Sequence, residues 1–200
     1  MNRGIGFEVL RGSGASWRAG AIYFGDLMQA LRWTYPNQLH LYLVEALHGT
    51  PIPEELRPLA DGIVHYPSLK RWSAAWAYNH ARHYVLHSDL LPDRVLKEHG
   101  IGVLVCGVLE RHSTLPTLAL IPDFQHHHLP ELFDQLEFQR REAEYLKTAA
   151  RAARLLVFGQ SVLADLRTFA PQYAAKARIL PPVSVFSDDI YARAPEEILN

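Results

Sequence analysis

Apolar positions along the chain fall in short runs, separated by longer stretches of helical spacing. Residues 4–10 read as a first strand, although Glu8 interrupts the apolar run. Residues 21–32 read as a helix, because Ile22, Leu27, Ala30 and Leu31 recur at roughly helical intervals. Residues 39–44 alternate and then turn fully apolar, as a strand does. Residues 62–66 form a short strand that stops at Pro67, and 72–86 are helical. A short helix over 92–99 closes at Gly100. Residues 101–108 are the most apolar strand and belong at the sheet centre. Another strand, 117–121, lies between Pro116 and Pro122. The longest helix is expected over 130–153, with Leu129, Leu132, Phe133, Leu136, Ala143, Leu146, Ala150 and Ala153 as its inward stripe. Its charged residues, from Glu131 to Lys147, then make a solvated face. A strand over 155–158 leads through Gly159 into a helix over 162–169, for which Ser161 is the expected cap. A last strand, 177–180, ends at Pro181 and Pro182.

Seven short strands interleaved with helices predict a Rossmann-like, doubly wound α/β fold. Its sheet is mostly parallel and covered by helices on both faces. A closed eight-fold barrel fits less well, because 200 residues is short for it and the helices are unequal. Residues 1–183 read as one domain and 184–200 as a linker. The 48% apolar content places the chain among globular proteins. Twenty basic against 21 acidic residues give a net charge of −1, which supplies no electrostatic drive toward nucleic acid. The lone Cys106 lies in an apolar run and reads as a buried thiol. Glu8 stands where a signal peptide has its apolar core, and no apolar run approaches the ~20 residues of a membrane span. The expectation is a cytoplasmic protein, with peripheral contact at the inner membrane surface left open.

Open parallel sheets bind ligands beyond the carboxyl ends of their strands. Two loops there carry unusual residues. Residues 11–20 are glycine-rich and lead into the first helix, where N–H groups favour an anion such as a diphosphate. The pattern is neither a dinucleotide fingerprint nor a P-loop, so an unliganded loop is an equal reading. Residues 122–131 carry Asp123, Gln125, His126, His127, His128 and Glu131. A metal site is one reading, with His126 and His128 pointing the same way in an extended loop. No cysteine or clear carboxylate partner completes it, so no metal ligand is assigned. Hydrogen bonding to a polar substrate, or acid–base assistance, is the preferred reading, with an inert exposed loop as the alternative. His80, His83 and His87 share a helix face but lack the zinc-protease pattern and read as surface. No G-x-S-x-G elbow and no Asp-x-Asp diphosphate clamp occurs. The four tryptophans read as packing residues.

The run Ile121-Pro-Asp123-Phe-Gln125-His126-His127-His128-Leu-Pro-Glu131-Leu-Phe133 resembles a segment of family 4 glycosyltransferases of the GT-B fold. Residues 152–161, 176–183 and 17–27 are similar to that family's later strands and first helix, with Ala19 where many members have glycine. The family's glutamate pair with seven residues between has no counterpart here, since that pair belongs to a second, donor-binding domain. The resemblance implies the acceptor-side half of a retaining glycosyltransferase. It would move a sugar from a nucleotide-sugar donor to a glycan or lipid-linked acceptor, with no further cofactor. The donor domain, in cis or as a separate chain, is then an obligatory partner. His126 and His128 are the expected catalytic residues, Trp17, Arg18, Ala19 and Gly20 the donor loop, and Asp123, Gln125 and Glu131 the acceptor-binding set. Asp123 and Glu131 are read as orienting the histidines, with stabilisation of its own helix N-terminus as the alternative role for Glu131. The alternatives are a non-catalytic glycan-binding or scaffold module and a GT-B-like sugar-nucleotide epimerase.

Overall fold

A computed structural model of the chain describes residues 4–9, 18–45, 52–65, 74, 77, 78, 81, 85, 90–107, 109 and 113–184. Among these residues seven strands form one sheet: β1 (Gly4–Val9), β2 (His40–Glu45), β3 (Gly62–Val64), β4 (Ile101–Cys106), β5 (Thr117–Ile121), β6 (Arg154–Val157) and β7 (Ala177–Ile179). Their order is β3-β2-β1-β4-β5-β6-β7, and every pairing is parallel. The most apolar strand, β4, is fourth of seven, as its composition predicts. The helices are α1 (Arg18–Thr34), α2 (Leu90–Glu98), α3 (Gln125–His128), α4 (Gln135–Arg151) and α5 (Gln160–Phe169). Ala74, Ala77, Tyr78, Ala81 and Val85 are also helical, in line with the expected helix over 72–86.

The chain winds outward in two directions from β1 and β4. Crossovers of one hand then require helices on opposite faces for the two halves. Phe7, Leu41, Leu43, Val105, Leu120 and Leu156 form one apolar face, packed with Tyr23, Phe24 and Met28 of α1. Leu104 and Cys106, the neighbours of Val105, point the other way. There Cys106, Ala119, Ile121, Leu155 and Val157 meet Tyr145 and Ala149 of α4 and Leu166 of α5. Val44, Val64 and Leu104 meet Leu96 of α2. This is a doubly wound, Rossmann-like sheet, and Cys106 is the buried thiol expected. Asp93, buried in α2, accepts hydrogen bonds from the Ser113 hydroxyl and from the Thr114 amide and hydroxyl, tying α2 to the approach to β5.

Three expectations need correction around α4. The long helix is broken. Pro130–Leu132 form a 3₁₀ turn, and Phe133 is extended. Asp134 then caps α4 by accepting a bond from the Glu137 amide at 2.8 Å. The inward stripe is also different: Leu132 is 63% and Leu136 76% exposed, while Tyr145, Thr148, Ala149 and Ala152 are buried. At 148, 149 and 152 small residues win because they let the helix backbone approach the sheet closely. The third correction concerns α5, which starts at Gln160 with Gly159 as its cap residue and no side-chain cap, so Ser161 lies within the helix. The segment 185–200, read as a linker, lies outside the described residues.

The carboxyl end of α4 is closed by a side chain from far along the chain. Lys176 Nζ donates to the carbonyls of Ala149, Ala150 and Ala152 at 3.0, 2.9 and 3.1 Å. These carbonyls lack helical partners, and the helix dipole places negative charge on them. Lys176→Met keeps the aliphatic stem and removes the donors. Urea unfolding should show a loss of about 2 kcal/mol, the scale of charge-assisted hydrogen bonds. An unchanged midpoint would show that water caps the helix equally well.

Candidate functional site at the carboxyl edge of the sheet

The chain leaves β5 at Ile121 and reaches the polar cluster within four residues. Asp123 Oδ1 accepts a bond from the Gln125 amide at 3.0 Å and starts the single turn α3. Each residue of an α-helix advances about 100° around the axis. Consecutive histidines therefore cannot share one direction, and they do not. His126 Nε2 and His127 Nε2 lie 3.2 and 2.6 Å from the same oxygen, Glu142 Oε1. His128 Nε2 lies 2.9 Å from Asp165 Oδ2 on α5. The expectation that His126 and His128 point the same way is thus corrected, because the segment is helical rather than extended.

The orienting carboxylates also differ from those expected. Glu142 and Asp165 hold the histidines, whereas Asp123 starts the turn and lies 4.0 Å from Arg141. Glu131 is exposed in the 3₁₀ turn. A carboxylate only accepts, so each of the three histidines donates from Nε2. His126 is fully buried among the rings of Phe124, Phe133, Phe138 and Tyr145. Burial lowers its pKa, so the ring is neutral at pH 7, and its Nδ1 has no hydrogen-bond partner among the described residues. His128 is the opposite case, with 62% of its side chain exposed. Gln125 is exposed in the same short turn.

No protein-family model and no curated protein sequence matches this chain.

The charged run of α4 is more than a solvated face. Arg140 makes a two-pronged contact with Glu137, at 2.8 and 2.7 Å, and reaches both oxygens of Glu144 at 2.7 Å. Arg141 donates to Glu137 at 3.0 Å and lies 4.6 Å above the Phe133 ring. The hydrogen-bonded Arg140 guanidinium, helped by Arg141, pushes the Glu137 pKa down to about 2, although burial acts in the opposite direction.

The donor-side expectation falls at the start of α1. Arg18, Ala19 and Gly20 are its first turn rather than a loop, and Trp17 lies outside the described residues. That turn holds no acidic residue. One turn on, the buried Tyr23 ring packs 4.9 Å from Phe158, which directly follows β6. The Tyr23 hydroxyl has no hydrogen-bond partner among the described residues, and burial pushes its pKa up to about 12. It is an unmet neutral donor. Glu8 is buried near the carboxyl end of β1, in register with Cys106 of β4. His80, His83 and His87 lie outside the described residues, as do Trp17, Trp72 and Trp76, while Trp33 is 53% exposed.

Sequence reasoning missed Glu142 and Asp165. Glu142 is hidden in a charged run, with no local sign that it faces inward. Asp165 carries a readable signal, being a lone acid among Val162, Leu163 and Leu166.

The Glu137 shift has a definite sign. In the folded chain its carboxyl protonates near pH 2 instead of at its ordinary 4.5. Between those values the unfolded chain binds more protons, so this contribution is full above pH 4.5 and lost as pH falls toward 2. Glu137→Gln should cost about 1 kcal/mol at neutral pH, the upper scale for such partly exposed pairs. It should also flatten the stability profile in that acid window. Parallel acid limbs in wild type and variant, measured by urea unfolding at several pH values, would exclude the network as their cause.

Proposed function

We propose that this chain is the acceptor-side domain of a GT-B glycosyltransferase similar to family 4. It would move a sugar from a nucleotide-sugar donor to a glycan or lipid-linked acceptor, with the nucleotide held mainly by a partner donor domain. The observation that carries this reading is the histidine-rich turn directly beyond β5. It combines the family-like run from Asp123 to Phe133 with the ligand-binding edge of a doubly wound sheet.

His126 and His128 take different parts in this reading. His128 is exposed, and its bond to Asp165 leaves Nδ1 as an acceptor for an acceptor hydroxyl. His126 is buried and positions α3 through Glu142 rather than touching substrate. Gln125 supplies a further polar contact, and Asp123 and Glu131 border the same turn. On the donor side, the acid-free first turn of α1, from Arg18 through Ala19 to Gly20, suits a diphosphate. Trp17 precedes it, and the Tyr23 hydroxyl offers the same region a donor.

The test is transfer from a panel of nucleotide sugars by the chain together with its donor domain, alongside thermal shifts with each donor. Donor-dependent stabilisation and turnover are expected. His128→Ala should lower kcat by about 100-fold or more, the usual range for a lost acid–base group, with little change in Tm. Unchanged kcat would remove His128 from the chemistry. Stabilisation by glycans without turnover of any donor would replace the transferase reading with a binding module.

A further inference from the structure

Two imidazole nitrogens and one carboxylate oxygen converge beside the turn that carries His128. One ring nitrogen from each of His126 and His127 and a Glu142 carboxylate oxygen all lie within 4.8 Å of one another. The local acids, Asp123 and Glu131, are not the carboxylate that the two rings share; the fold supplies Glu142 from the second turn of α4. Zinc bonds to histidine nitrogen and carboxylate oxygen at about 2.0–2.2 Å, which puts tetrahedral ligand atoms roughly 3.4 Å apart. The observed 3.2 and 2.6 Å separations from Glu142 Oε1 come within a small carboxylate rotation of that arrangement.

We propose that His126, His127 and Glu142 form a transition-metal site of the two-histidine, one-carboxylate type, suited to zinc. Two imidazoles argue against magnesium or calcium, which take oxygen ligands. Three protein ligands leave a fourth coordination position. His127 and Glu142, at 38% and 33% side-chain exposure, give it access to solvent. Behind His126, the rings of Phe124, Phe133, Phe138 and Tyr145 form an apolar wall that keeps the inner side dry. The nearby Arg141 is engaged by Glu137 at 3.0 Å and approached by Asp123 at 4.0 Å, which offsets its repulsion of a cation.

The second ring nitrogen of His126 limits the affinity. In the metal-free site His126 carries its proton on Nε2. Metal there moves the proton to Nδ1, for which the described residues provide no acceptor. Ligating histidines usually donate that second N–H, and loss of such a partner typically weakens metal binding about 10–100-fold. The affinity therefore lies about 10–100-fold below that of a site whose second ring nitrogen is satisfied.

Untagged chain is titrated with zinc and, separately, with cobalt. One ion per chain should bind at submillimolar zinc, and bound cobalt should show the visible absorption of a four-coordinate ion. His127→Ala and Glu142→Gln should each weaken zinc by more than the roughly 10–100-fold expected for an outer partner. Glu142→Gln retains a hydrogen-bond acceptor for both rings, and circular dichroism confirms its folding. His40→Ala, at an exposed histidine on β2, should leave Kd unchanged. No binding at submillimolar zinc, equal binding by His127→Ala and Glu142→Gln, or equal weakening by His40→Ala would overturn the site. The readout is ion binding alone, so its failure leaves the transferase reading untouched.

Discussion

A parallel sheet brings the chain back to the same edge after every strand, and the rest of this molecule depends on that return. Each crossover must travel the length of the sheet and lie against one of its faces. Both faces are therefore covered, and the strands are apolar on both sides, as Leu104, Val105 and Cys106 show in three consecutive residues. The carboxyl ends of β5 and β6 stand side by side as a result. The segment leaving one strand is thereby held next to the segment leaving its neighbour. That is why His128, seven residues beyond β5, meets Asp165, eight residues beyond β6.

Burial of one imidazole organises the inner part of the cluster. A neutral ring enclosed by Phe124, Phe133, Phe138 and Tyr145 gains from apolar contact, but its N–H would cost about 1–3 kcal/mol if left unpaired. Glu142 removes that cost and simultaneously sets the rotation of α4 about its own axis. With Glu142 turned toward α3, Tyr145 and Ala149, three and seven residues on, turn toward the sheet. Leu136 is left outside by the same rotation. The polar contact and the choice of buried face are one constraint rather than two.

The same constraint explains which parts of the structure were legible in the sequence. The strands were, because a strand buried on both faces is a dense apolar run with little competing pattern; the expected 117–121 coincides with β5. The sheet class came from the alternation of runs and helices. The face of α4 was not legible, because large leucines invite burial more strongly than Thr148, Ala149 and Ala152 when packing distance is unknown. Its start was missed because Pro130 looks like a helix opening, while Asp134 with Glu137 three residues later carries the true capping pattern. The histidine turn stood out by its composition and its place after a core strand. Its partners were not, since Glu142 and Asp165 reach it only through tertiary packing.

The three adjacent histidines consequently cannot act as one group. Positions 126 and 128 are separated by about 200° of helical rotation, which sends one side chain into the aromatic interior and the other toward α5. Position 127 falls between, sharing the carboxylate of the buried ring while keeping a solvent-facing side. A turn this short has little intrinsic helical stability, since one hydrogen-bonded turn does not offset its own nucleation cost. It is held instead by side chains at both ends of its arc, Glu142 on α4 and Asp165 on α5. Rigidity at an exposed histidine thereby comes from two helices that themselves rest on the sheet, and such support is what a group needs to meet a substrate in one orientation.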